Sequence, residues 1–386
     1  MNAQSTNLTP ARRPDIDWIR ISATFLLILF GAVKVCFPEA TGGVGPRGLS
    51  LGAGSILFLA SQWYVPLAFL VSGWSRRNSM QHLSARAAFR ERFLRLGMPF
   101  LTGCLILCPA LRYVEFLGGQ GIGLDGSGPA VIKAFPEFLL DFFTRQDTFT
   151  VYNLWFLFYL FVFSILSWPF FSWLLGRKVT PIKIAPLWVY LPMVPLMLIQ
   201  LVGDNLCQPC SYEGWAGAAS FLTYFIIGFI ISRYSAFERV MHHEANRAGA
   251  LGMVVLIVLM AFPDRLPIEL VRAAAAGASW LVVVFILGVS RRFLDRQSKT
   301  LSYLRRATLP VFVLSQAPIV VMGSALMSST VNSGIKLFFL MAFALGTTFA
   351  LYHVLIRKVS LLRLLFGMKP EKEHAESWKD QVLHRG

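Results

Sequence analysis

Ten apolar runs dominate this chain, at roughly 19–37, 55–74, 96–117, 152–175, 185–203, 218–233, 247–262, 272–290, 308–327 and 336–357. Each can cross ~30 Å of hydrocarbon at ~1.5 Å of helical rise per residue. Lipid offers no hydrogen bonds, so a spanning segment must satisfy its own backbone, and helix is the form that does so. The strict alternation of barrel strands is absent. The expected fold is therefore all-α: a polytopic membrane bundle of about ten transmembrane helices over 17–360. A disordered cytoplasmic N-terminus (1–16) precedes it and a cytoplasmic tail (361–386) follows. With 55% hydrophobic and 15% charged residues and 33 Phe, the composition fits no soluble domain of this size.

The formal net charge of +16 raises the question of nucleic acid. Topology explains it better. With ten spans and a cytoplasmic start, the inner side holds 28 of the 36 Lys and Arg and the outer side 8, while the acids divide equally. That is the positive-inside pattern, and it predicts both termini in the cytoplasm. No basic and aromatic soluble module is present to read a nucleic acid, so none is expected as a partner. The first run has no small-residue cleavage pattern after it, which predicts an uncleaved first span. Cys36, Cys104 and Cys108 lie in apolar segments and read as small buried residues. Cys207 and Cys210, in an outer loop, have the spacing for a local disulfide. The glycines of "GGQGIG" follow no strand and open no suitable helix, so they are not a phosphate loop. "VIKAFPEFLLDFF" is amphipathic and suits the membrane interface. His242 and His243 read as solvated loop residues, and no metal site is expected. No acid inside a span and no broken helix pair supports transport.

Two arginine features ask for more than topology. The loop between spans 2 and 3, "SGWSRRNSMQHLSARAAFRERFLRLGMPF", holds six arginines and one acid, Glu91. Arg92 and Arg95, at i and i+3, are expected on one helical face, either as topology determinants that snorkel to the headgroups or as a fork for a polyanion. Such use of arginine without lysine suits phosphate. Arg20 lies within the first turns of span 1, deeper than a topology signal requires, and charges there usually face a polar interior. Eleven residues on, about 20° from the Arg20 direction and ~16 Å further along, is Gly31. A packing glycine is the plain reading of that position.

"DIDWIRISATFLLILFGAVK" resembles the opening of the acyltransferase-3 family of integral membrane proteins, near its glucan succinyltransferase branch. The resemblance continues through "FLVSGW", "FRERFLRLGMPF", "NLWFLFYL", "YLRRATLPVFVLSQ" and "LLRLLFGMKP". It implies transfer of an acyl group from cytoplasmic acyl-CoA, with acetyl-CoA or succinyl-CoA as donor, to a hydroxyl of an envelope glycan or lipid. The implied setting is the bacterial inner membrane, among membrane lipids. Arg20, Arg92 and Arg95 take the positions that bind the cofactor. The family's catalytic histidine, eleven residues after its first arginine, falls on Gly31. Two more histidine positions are also altered, to Asn153 in "NLWFL" and to Ser315 in "LSQ".

Two functions follow. One is a working O-acyltransferase with a substitute base, for which Lys34, one turn beyond Gly31, is the candidate. A lysine drawn out of water gives up its proton more readily. The other is a pseudoenzyme that keeps the scaffold and partners envelope-assembly proteins, because glycine can abstract no proton.

Overall fold

The structure, a computed structural model, describes residues 13–37, 53–80, 84–117, 134–145, 148–178, 184–203, 214–262, 265–327 and 329–368. Among these, every regular element is a helix. In chain order they are α1 (Pro14–Cys36), α2 (Ala53–Trp74), α3 (Arg76–Met80), α4 (Ala85–Leu117), α5 (Phe135–Thr144), α6 (Trp155–Leu166), α7 (Trp168–Gly176) and α8 (Met193–Val202). There follow α9 (Trp215–Arg233), α10 (Ser235–Ala261), α11 (Ile268–Phe293), α12 (Lys299–Met327), α13 (Ser333–Leu351) and α14 (Ser360–Leu365).

All ten apolar runs fall on helix among the described residues, while the count of ten spans stays an expectation. Among the described residues seven helices are long and apolar enough to cross a membrane, or eight if α6 and α7, a bent pair, count as one span. The pair breaks at Ser167, two residues before Pro169, which has no N–H to give to a continuing helix. The expectation of no broken pair is corrected accordingly. The fourth run is interrupted there, and the fifth gives only a short apolar helix over Pro186–Val202. The pairing expected of Cys207 and Cys210 lies outside the described residues, as does "GGQGIG". Cys36, Cys104 and Cys108 are free and buried. The amphipathic stretch forms α5, with Phe138 packed against Tyr113 and Phe116 of α4, Phe142 buried beside Phe138, and Leu140 exposed.

The chain divides into two units, each assembled from separated segments. The first contains Met1–Ala23, Leu57–Ala88 and Ser167–Leu304. Its core is aromatic: Phe171 stacks on Phe229 at 3.8 Å, Phe69 stacks on Phe221 at 4.8 Å, and Trp280 gives its indole N–H to Val189 O. Small residues let its helices meet. Gly73 of α2 presses on the Phe225 carbonyl of α9, and Gly228 of α9 presses on the Leu70 carbonyl of α2. A Cβ at either position would overlap backbone. In lipid no hydrophobic force drives helices together, and contact of this kind holds them instead.

At one end of this unit, Arg13 bonds Asp15 and Glu238, Arg291 shares Glu238, and Arg13 also lies over the Trp74 ring. The Asp15 hydrogen bond chiefly, with Glu238 beside it, raises the proton affinity of Arg13 above its ordinary value. Arg77 gives a hydrogen bond to Ser232 O at the end of α9, and Arg233 gives one to Arg177 O at the end of α7. Both thereby satisfy carbonyls that their helices leave open. Burial, and then the Arg233 charge, lower the proton affinity of Arg77.

The second unit contains Thr24–Ile56, Phe89–Leu166 and Arg305–Gly386. In it the later turns of α1 pack on α12 through Val35 and Gly323, and on α13 through Phe25 and Phe349. Phe156 of α6 meets Phe312 of α12 edge-on at 5.8 Å. Two π turns interrupt α4, at Phe93–Gly97 and Gly103–Leu107. Such turns are rare, and they often mark functional positions.

Candidate active site

The second π turn of α4 brings Gly103 to its surface, and the Leu154 side chain seats against it. That contact anchors the 3₁₀ turn Tyr152–Leu154, which opens α6, and so fixes Asn153 beside α1. A Cβ placed on Gly31 would stand 2.8 Å from Asn153 Nδ2 and 3.8 Å from Gln316 Oε1. Both of those amide atoms are buried and without a hydrogen-bond partner among the described residues. Ser315, the neighbour of Gln316, is fully buried and gives its hydroxyl to Phe312 O at 2.9 Å, within its own helix. Of "LSQ", then, the serine serves the helix and the glutamine faces Gly31.

Three stretches far apart in sequence thus meet at Gly31 of α1, Asn153 of the turn before α6 and Gln316 of α12. Whichever way their amides are read, Asn153 and Gln316 each present a donor and an acceptor. In an apolar interior such groups are costly unless something binds them. A sequence model of the family described as "Acyltransferase domain" matches residues 13–353. The chain belongs to the acyltransferase-3 family. Neither the curated proteins nor the solved structures contain a match to it. Acyl transfer is the activity of this family, and the long apolar helices are those of a membrane protein that crosses several times.

The remaining site residues of this acyltransferase-3 chain have distinct surroundings. Arg20 belongs to the first unit, where it pairs with Asp17 at 3.3 Å and donates to the Ser75 hydroxyl. Its charge is therefore met by an acid one turn earlier and by the residue that follows α2. Arg92 and Arg95 belong to the second unit. The π turn Phe93–Gly97 begins directly after Arg92 and contains Arg95, so the regular i, i+3 geometry expected of the pair is interrupted there. Arg92 is half-buried, while Arg95 is exposed and has no hydrogen-bond or ion-pair partner among the described residues. The tail braces this turn: Gly367, at φ +71°, lies where a Cβ would be 2.6 Å from Arg95 O. Only glycine takes that conformation and that contact without strain.

Lys34 is exposed, one turn past Gly31. His353 is exposed too, near Arg357, and His242 bonds Gly288 O in the first unit. Among the described residues no three potential metal ligands come together.

Sequence reasoning missed one charged group. Glu115, near the end of α4, is 1% exposed and accepts from Arg112 Nη1 at 2.8 Å. The expectation that no acid lies inside a span is corrected here. An acid near the end of an apolar run resembles the start of a loop, and its burial beside Arg112 and Tyr152 shows only in the fold. Tyr152 itself has φ 45°, the only non-glycine positive φ among the described residues. Strain of this kind persists where the surroundings over-determine the backbone, and it gathers at functional sites.

Proposed function

We propose that this chain is a membrane O-acyltransferase that moves an acyl group from acyl-CoA to a hydroxyl of an envelope glycan or lipid. The observation that supports this reading best is the meeting of Gly31, Asn153 and Gln316. Two of them are positions where the family resemblance calls for histidine, the third adjoins another, and all come from separate helices. Asn153 offers an N–H where a thioester oxygen would gain charge, in the manner of an oxyanion hole. Gln316 offers an oxygen to the O–H of an incoming acceptor. Arg95, without a partner among the described residues, suits a phosphate of CoA, with Arg92 as a further contact in the same unit and acetyl-CoA or succinyl-CoA as donors; Arg20 is a separate candidate contact in the other unit.

A second reading rests on the same residues. None of Gly31, Asn153 and Ser315 titrates near neutral pH, which suits a pseudoenzyme that binds acyl-CoA and serves envelope-assembly partners. The expected result on purified protein is release of CoA thiol from acetyl-CoA or succinyl-CoA, faster when a glucose oligosaccharide is added. Binding without turnover establishes the pseudoenzyme instead. In calorimetry Arg92→Ala with Arg95→Ala should weaken CoA binding by about 1.5–3 kcal/mol per lost charged hydrogen bond. Equal affinity in that variant removes CoA from both readings.

A further inference from the structure

Gly31, Asn153 and Gln316 can orient an acceptor hydroxyl, but none is a base, and the exposed Lys34 is not drawn into the protein. The short turn that presents Asn153 also presents Tyr152, and Tyr152 leads to a group that can take a proton. Its hydroxyl is buried and faces the Glu115 carboxylate without closing a well-formed hydrogen bond. Arg112, 3% exposed, engages Glu115 through Oε2, which leaves Oε1 outside that bond. Cys108 is the other ionisable group beside Tyr152.

A carboxylate sunk in an apolar layer is costly, and an ion pair there adds little stability over apolar packing. This cluster does not even satisfy itself. Arg112 Nε, the Tyr152 hydroxyl and Asn153 Nδ2 are all buried without partners among the described residues. Buried polar groups in native interiors are nearly always paired, so these three, two on the turn Tyr152–Leu154 and one on α4, are places where something polar can bind. The positive φ of Tyr152 points the same way.

Building on the acyl-transfer reading, we propose that Glu115 is the proton acceptor for the incoming hydroxyl, with Tyr152 between carboxylate and hydroxyl. Arg112 compensates the charge that the carboxylate carries into the apolar layer. In the step, the acceptor's O–H proton passes through the Tyr152 hydroxyl, which gives up one proton and takes another, to Glu115 Oε1. The acceptor oxygen bonds to the thioester carbon. The C–S bond breaks with its electron pair on sulfur, and the thiolate recovers the proton from Glu115 through solvent. The carboxylate ends as it began. Orientation belongs to the two amides, and acid–base work to a residue outside all three histidine positions.

The test is kinetic, on the full chain in lipid nanodiscs, with acetyl-CoA as donor and a glucose oligosaccharide as acceptor. Glu115→Gln should lower kcat at least 100-fold with KM for acetyl-CoA within twofold of the wild type. Glu115→Asp should recover at least a tenth of the wild-type rate, which a merely structural carboxylate would not require. Tyr152→Phe, which leaves the ion pair intact, should lower kcat about tenfold. If Glu115→Gln leaves Arg112 uncompensated and the protein does not fold, Arg112→Met with Glu115→Gln removes the stranded charge and is held to the same threshold. A wild type that transfers while the glutamine variant stays within threefold overturns the role of Glu115 and leaves the acyltransferase reading standing. A wild type that binds acetyl-CoA without transfer overturns that reading, and this proposal falls with it.

Discussion

Two kinds of glycine occupy this molecule, and they do opposite things. In the first unit, Gly73 and Gly228 press reciprocally on the carbonyls of Phe225 and Leu70, backbone against backbone. In the second, Gly31 faces the ends of two side chains, Asn153 and Gln316. The first pair is a helix seam, where a missing side chain lets two helices touch. Gly31 is a place where a missing side chain lets the Asn153 amide come close, beside a Gln316 oxygen that has no partner among the described residues. Apolar helices with interspersed glycines look alike in sequence, and only the identity of the atom across from the glycine separates the two. Backbone cannot step aside; the end of an asparagine can.

The seam should give the largest effect. Gly73→Ala or Gly228→Ala must drive a methyl into a carbonyl that belongs to a continuous helix, at a cost of about 3 kcal/mol or more. Thermal unfolding in detergent should show a Tm loss of several degrees for each, and little folded protein for the double variant. A seam that tolerates both changes erases the contrast from its structural side.

Gly31→Ala should be the mild counterpart. Alanine favours helix over glycine by up to about 1 kcal/mol, and the contact to Asn153 Nδ2 is relieved by a small rotation of the amide. The two effects oppose each other, so Tm should move by no more than a degree or two in either direction. A loss as large as that of Gly228→Ala would make Gly31 another seam.

How much of this is legible in sequence differs along the chain. Apolar length places every span on a helix because lipid permits little else, but it cannot reveal the break at Ser167 or the π turns of α4. Those depend on how Pro169, Gly97 and Gly103 meet their neighbours. The fork of Arg92 and Arg95 assumes 100° per residue, and the π turn between them changes that angle. Ser315 stands out because the family resemblance implies a histidine there, yet Gln316 faces Gly31, because the serine is consumed by its own helix at Phe312 O. Arg20 is visible as an odd charge, but its partner Ser75 lies 55 residues away in sequence. Glu115 and Tyr152 carry no sequence signal at all. Burial makes the first notable, and a backbone angle the second.

Gly31→His tests most directly whether Gly31, Asn153 and Gln316 form one acyl-transfer site. The rate of acetyl transfer from acetyl-CoA is measured beside the unfolding temperature, in the same preparation. A positioned general base contributes about 10²–10⁴-fold. The account predicts a folded variant, with Tm within a few degrees of the wild type, that transfers at least tenfold faster because an imidazole now lies between the two amides. A variant that unfolds as the seam variants do, or one that folds normally and transfers no faster, contradicts it.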